Sequence, residues 1–255
     1  MQKRKVRYLF EEKVYVFPNS REVERIRTGK PPDKGKKREK KKKATPEQIK
    51  RQNEYNRQKK SRRTIKANFK ENDLWETLTY KRGHVVTIEQ AKADKEKFLR
   101  YVRKEYAKRG EVLKWVGCYE RGRRGAIHFH FIINRIPDAD LIIKEAWKRV
   151  KGSGRIDSQL LYEDGDFKNL ASYIVKAEAY DDDGNLIKAS CFSHSRNLVI
   201  PEPEVRRTTR KKILEEPVPT PGYYIDKDSI CQGINPITGR EYLHYIEIRI
   251  RGGGG

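Results

Sequence analysis

Residues 123–136 read RRGAIHFHFIINRI, an apolar run interrupted by two histidines two positions apart. Side chains of a strand alternate between its faces, so His128 and His130 project from one face and Phe129 from the other. Two imidazoles side by side where apolar neighbours are the rule can hold a metal ion, or can be two satisfied histidines on a sheet surface. Upstream, EVLKWVGCYE (residues 111–120) reads as a second strand, separated from the first by the glycine-bounded turn RGRRG. If the two form a hairpin with a five-residue loop, Glu120 stands opposite Ala126 and shares the face of His128 and His130. Two imidazoles and a carboxylate suit Mn2+, Mg2+, Zn2+ or Fe2+ with open positions for water or substrate. Cys118 shares that strand face and reads more simply as a small buried hydrophobe.

A nucleophile is available further along. In NLASYIVKAEAY, Tyr173 and Lys176 are three residues apart on an expected helix over 166–180 and so share a face. Tyr180, seven residues after Tyr173, lies near it; an ordinary amphipathic helix would show the same spacing. A phenol is a weak nucleophile at neutral pH, with a pKa of about 10. A nearby cation lowers that value and a metal polarises a phosphate under attack. Tyrosine, lysine and metal together make covalent phosphoryl transfer chemically reasonable.

The elements that would position these groups alternate in a recognisable order. The first strand is expected in DLWETLTYKR. A long helix follows from Thr87, a candidate N-cap, to Gly110. The two strands above come next, then a helix in DADLIIKEAWKRV, a strand in RIDSQLLY and the tyrosine-bearing helix. The first six elements form β-α-β-β-α-β, the split motif of ferredoxin-like and RRM-like α+β folds: an antiparallel sheet with helices on one face and the other face open.

IHFHF resembles the His-hydrophobic-His signature of the HUH endonucleases, and YIVK resembles their Tyr-x-x-Lys nucleophile motif. NFKENDLWETLTY is similar to the first block of rolling-circle replication initiators, the Rep proteins of phages, plasmids and integrative elements. FSHSRNLVIP is similar to a segment that follows the catalytic helix in many of them. The blocks occur in family order over roughly residues 68–201. The resemblance implies an HUH core in which His128, His130 and a third ligand, taken as Glu120, bind Mn2+ or Mg2+. Tyr173 would attack the scissile phosphate of single-stranded DNA or an origin hairpin, remaining joined to the 5′ phosphate and releasing a 3′-OH. Lys176 would orient or neutralise the phosphate, and a host helicase and polymerase would complete replication. Where some phage initiators carry a second tyrosine there is Ala177, which points to a single-tyrosine enzyme. Transposases and relaxases of the same superfamily, and a non-catalytic RRM-like RNA-binding protein, are the competing readings. The tyrosine of relaxases usually precedes the histidine motif.

Composition agrees with a polyanionic partner. Among 255 residues, 59 Lys and Arg face 36 Asp and Glu, a formal net charge of +23. Arg121, Arg123 and Arg124 in the hairpin turn and Arg196 after the tyrosine helix are candidate DNA-phosphate contacts. A membrane surface would need an amphipathic anchor or a lipidation motif, and no run approaches the roughly 20 apolar residues of a spanning helix. The start lacks a signal-peptide core, and Cys118, Cys191 and Cys231 form no CxxC, as suits a reducing cytoplasm. No P-loop is present, so no helicase is expected within the chain.

The expected organisation is a partly flexible basic arm and helix (1–66), an HUH endonuclease domain (67–201) and a C-terminal extension with two short strands (202–255). Within the arm, KVRYLFEEKVYVF is expected as an edge strand or small hairpin. Thr45-Pro46-Glu47 should start a helix reaching about Lys66, polar all round. EPEVRRTTRKKILEEP reads as a helix, and CQGINPITG as a connection between strands in YYIDKDSI and REYLHYIEIRI.

Overall fold

The computed structural model describes residues 9–28, 44–121, 126–162, 192–209, 214–235 and 237–250. The chain divides into two compact units, one of residues 57–200 and one made of residues 1–56 together with 201–255.

The unit of residues 57–200 carries the expected α+β core. Its strands are β3 (Leu74–Tyr80), β4 (Trp115–Arg121), β5 (Ile127–Ile133), β6 (Ser153–Leu160) and the two-residue β7 (Ser193–His194). They line up as β6-β3-β5-β4-β7, every pair antiparallel. The first four strands in chain order thus lie fourth-first-third-second, the order of a split β-α-β sheet. The crossovers are α2 (Ile88–Lys108) and α3 (Ala139–Lys148). Thr87 caps α2 in a capping box: its hydroxyl accepts from the Gln90 amide, and the Gln90 side chain accepts from the Thr87 amide. The chain leaves α2 through Gly110 at φ +72°, a conformation that costs glycine little.

Both helices lie on one face of the sheet. Phe98 of α2 and Trp147 of α3 meet Phe129 and Phe131 of β5 at ring-centroid distances of 5.5–6.1 Å, and all four rings are fully buried. Burying such aromatic surface is the main stabilising term of the unit. Gly117 stands opposite Phe131 on this face. A Cβ at Gly117 would fall inside the Phe131 ring and against the His130 carbonyl, so the close approach requires glycine.

The opposite face departs from the expected open surface. Val116, Cys118, His130 and Ile132 all lie on it and all are buried. The face is accessible only toward the Glu120 end of the hairpin, where Glu120 and His128 are half-buried. The pattern of alternation could not reveal this, because a strand buried on both faces and one with an apolar patch on its second face read alike.

Helix α1 (Pro46–Asn68) begins at the expected cap, with Gln48 rather than Glu47 completing a reciprocal pair with Thr45. It starts in one unit and ends in the other. Its last turns are not polar all round in effect: Ser61, Arg63, Thr64, Ile65 and Lys66 are buried, and Ile65 joins the core that β3 to β6 enclose.

The second unit holds a five-stranded antiparallel sheet ordered β8-β1-β2-β10-β9. Its strands are β1 (Phe10–Val16), β2 (Ser20–Arg27), β8 (Glu204–Thr208), β9 (Tyr223–Ile234) and β10 (Glu241–Arg249). The N-terminal hairpin is therefore interior to a sheet rather than an edge. The helix expected over EPEVRRTTRKKILEEP is corrected at its start: residues 204–208 form β8, paired with β1 from Glu204↔Val14 to Thr208↔Phe10. Helix-favouring Glu and Arg yield there to the ladder and to the Arg207–Glu11 ion pair at 3.0 Å. The CQGI segment, expected as turn, continues β9 to Ile234. Among the described residues no helix is long and apolar enough to cross a membrane.

Candidate functional site

Glu120 and His128 face each other directly across the β4–β5 ladder, and Cys118 faces His130. The hairpin pairs two residues further along than expected, because β4 runs through Arg121, which pairs with Ile127. A shift of two preserves the face, so the carboxylate and both imidazoles do share one side of the sheet. On the other flank of β5, Thr79 faces His128 and Thr77 faces His130.

His130 is held on three sides. Its Nδ1 lies 3.2 Å from Thr77 Oγ1. Its ring stacks on Trp75 with centroids 5.6 Å apart and planes 13° from parallel. Its Nε2 faces Glu120 Oε2 at 3.6 Å. Burial pushes its pKa below the ordinary imidazole value; the Glu120 carboxylate pulls the other way, and His128 pushes it further down. A neutral imidazole with Nδ1 engaged and Nε2 turned to a carboxylate is the form that ligates a metal through Nε2. Glu120 keeps 41% of its side-chain surface exposed, which leaves room for water or a phosphate beside the pair.

The donor types and the orientation of His130 fit a divalent ion. The side chains are not drawn together around one point: among the described residues, no group of three or more His, Cys, Asp and Glu is close enough to hold a metal ion. Glu120 leans to His130, one ladder step along, rather than to His128 directly across.

Tyr173, Lys176 and Tyr180 lie outside the described residues, as do Arg123 and Arg124. Arg121 is buried and projects to the helix-bearing side of β4, opposite Glu120; Arg196 is exposed. The sequence reading does not single out Thr77 or Trp75. A threonine pair at alternate positions, Thr77 and Thr79, in the strand that must flank the histidine strand is the available signal.

Residues 73–178 match the family model of the replication-associated protein ORF2. The matched stretch runs from the start of β3 through β6 and contains Glu120, His128 and His130 as well as Tyr173 and Lys176. It ties this part of the chain to replication-associated proteins. No curated protein and no solved structure matches the chain.

Proposed function

We propose that the unit of residues 57–200 is a metal-dependent endonuclease and strand transferase that opens and rejoins single-stranded DNA at a replication origin. The observation that carries the reading is the placement of Glu120, His128 and His130 on one face of two neighbouring strands, within the stretch that matches replication-associated proteins. His130 and Glu120, with His128 beside them, would hold Mn2+ or Mg2+. Such an ion supplies Lewis-acid polarisation of the scissile phosphate.

In the proposed reaction the Tyr173 hydroxyl loses its proton and its oxygen attacks phosphorus. The bond from phosphorus to the 3′ oxygen breaks, and that oxygen takes up a proton to become the free 3′-OH. The 5′ phosphate stays on the tyrosine until a 3′-OH reverses the step. Lys176 would balance charge on the phosphate oxygens. Single-stranded DNA is the substrate this chemistry and the charge of +23 favour.

The test is a covalent one. Full-length protein is incubated with an end-labelled, random-sequence single-stranded library in Mn2+ or Mg2+, denatured, and the DNA-linked peptide mapped. A metal-dependent adduct on Tyr173, lost in Tyr173→Phe, supports the reading. An adduct on another residue overturns the nucleophile assignment. No adduct with either ion, from a protein that binds the library, overturns the enzyme and leaves a nucleic-acid-binding module.

A further inference from the structure

Residues 192–199 lie beyond the stretch that matches replication-associated proteins, yet they are built into the same sheet. Val116 pairs with His194 and Gly117 with Ser193, which makes β7 the edge strand beside β4. The segment is fastened along its length. The Ser195 amide donates to the Trp115 carbonyl at 2.9 Å, and the Trp115 amide donates back to Ser195 Oγ at 3.1 Å. Asn197 Nδ2 donates to the Leu113 carbonyl. Asn68 clamps Val199 from both sides, its Oδ1 accepting from the Val199 amide and its Nδ2 donating to the Val199 carbonyl, each at 2.8 Å. On the helix-bearing side, Lys95 reaches Ser193 Oγ at 3.2 Å. Ser195 and Leu198 are buried.

None of those fastenings uses the side chains of His194 or Arg196, and both are exposed. His194 alternates to the same face as Val116, Cys118 and Glu120, because it pairs with Val116. Its Nδ1 lies 2.9 Å from the Ser195 carbonyl, an oxygen that can only accept, so Nδ1 carries the proton and Nε2 is turned outward. Its ring leans on Phe192, with centroids 5.8 Å apart. An exposed imidazole and an exposed guanidinium two residues on are thus presented from a backbone with almost no freedom left to lose. That pre-organisation keeps the ordering cost of binding low. An aromatic face with an adjacent cation is what a single nucleotide strand requires, a platform for a base and a partner for a phosphate.

We infer that Phe192–Arg196 forms a strand rest on the edge of the sheet, where His194 takes a base and Arg196 a backbone phosphate of single-stranded DNA. This rests on the proposed nuclease reading for its place beside the reaction site, and gives that site a sequence-contacting position. Along β4, Val116 and Glu120 are four residues apart, about 14 Å at roughly 3.4 Å per residue. At about 3.4 Å per stacked nucleotide the base on His194 lies a few nucleotides from the phosphate at Glu120.

Binding and cleavage separate the two ideas. Full-length protein, without added metal, is photocrosslinked to a random-sequence single strand carrying 5-iodouracil, and the attached peptides are mapped. The same strand, fluorescein-labelled, is titrated by anisotropy across a salt series with His194→Ala, Arg196→Ala and the control Arg155→Ala, an exposed arginine of β6. Crosslinks should fall within 192–196. Arg196→Ala should weaken binding about fivefold and lower the log–log salt slope by about 0.7, the change for one phosphate on a single strand. His194→Ala should weaken binding with the slope unchanged, and Arg155→Ala should do neither. Crosslinks confined to other segments, or binding by both variants within twofold of the parent, would overturn the strand rest. Either result stands whether or not a covalent adduct forms on Tyr173, so failure of the nuclease reading is read separately.

Discussion

Thr77 Oγ1 lies 3.2 Å from His130 Nδ1, on the opposite side of the ring from Glu120, whose Oε2 is 3.6 Å from Nε2. The threonine therefore sets which nitrogen of His130 faces the carboxylate. With Nδ1–H donating to the hydroxyl, the Nε2 lone pair is available on the Glu120 side.

Thr77→Val keeps the shape of the side chain and removes this oxygen. Under the proposed metal chemistry, Mn2+ affinity should fall by about 10- to 100-fold, the usual effect of losing a hydrogen bond behind a ligating histidine. Isothermal titration of Mn2+ into each protein measures it, with circular dichroism as the check on folding. His128→Ala with His130→Ala should abolish Mn2+ binding. Equal affinity in the parent and the double variant would remove the metal from this face.

Glu76 makes a different kind of demand on the same strand. It projects to the helix-bearing side of β3, opposite Phe131, and is fully buried. Ser158 Oγ donates to its Oε2 at 2.7 Å, and its Oε1 has no hydrogen-bond partner. Burial, reinforced by Asp140 and Asp157 and only partly offset by Ser158, pushes its pKa up to about 7. The unfolded chain ionises near the ordinary carboxylate value, so between about pH 4.5 and about pH 7 the native state holds a proton that the unfolded state has released. Stability from this group is greatest below that window, falls as pH rises through it and levels off above. Glu76→Gln keeps the contact with Ser158 and cannot ionise. Urea melts should show it about 3 kcal/mol more stable than the parent near pH 8, with the difference shrinking toward pH 4. A difference that is constant with pH would show that Glu76 ionises as it does in the unfolded chain.

At Gly117 the constraint is steric. Alanine there must displace the buried Phe131 ring or the β5 backbone, so Gly117→Ala should cost about 1–3 kcal/mol, the usual range for overpacking a well-filled site. Phe131→Leu in the same chain should recover part of the loss, because it vacates the space the methyl needs. A double-mutant cycle by chemical denaturation checks this. Additive effects would mean that the strain is taken up by the backbone instead.

How much of this is legible without coordinates depends on which interaction sets each feature. The α+β core is readable because β3 to β6 and their two helices carry local signals that agree: the Thr87 capping box, Gly110 after α2 and apolar alternation through β5. The shared face of Glu120, His128 and His130 survives an error in register because the error is two residues, which leaves side-chain parity intact. Burial of the second face at Val116, Cys118 and Ile132 is not readable, since alternation records that a residue is apolar and not what covers it. The strand β8 escapes the sequence reading for a related reason. Glu204, Arg206 and Arg207 favour helix locally, and only their pairing with β1, nearly 200 residues away in sequence, makes them a strand. The role of Thr77 depends on knowing that β3 lies beside β5, a consequence of the crossover order.

The last prediction concerns the basic stretch 29–43, GKPPDKGKKREKKKK, which carries nine Lys and Arg against two acids. It follows β2, and β1 and β2 occupy interior positions in the five-stranded sheet that also contains residues 204–249. Removing the whole N-terminus would therefore take two strands from that sheet, and any loss of DNA binding would report a broken unit. Replacing only residues 29–43 with a glycine-serine linker of equal length isolates the charge. If the stretch neutralises phosphates, the log–log salt slope for single-stranded DNA should fall by as much as about 5, at about 0.7 per phosphate for the net charge removed. Affinity at low salt should fall with it. The yield of any covalent adduct at saturating DNA should stay at the parent level, because the change lies far in sequence from Glu120, His128, His130 and Tyr173. Anisotropy titrations at several salt concentrations measure the slope. An unchanged slope would show that the bound strand does not touch this stretch and that its charge keeps the chain in solution.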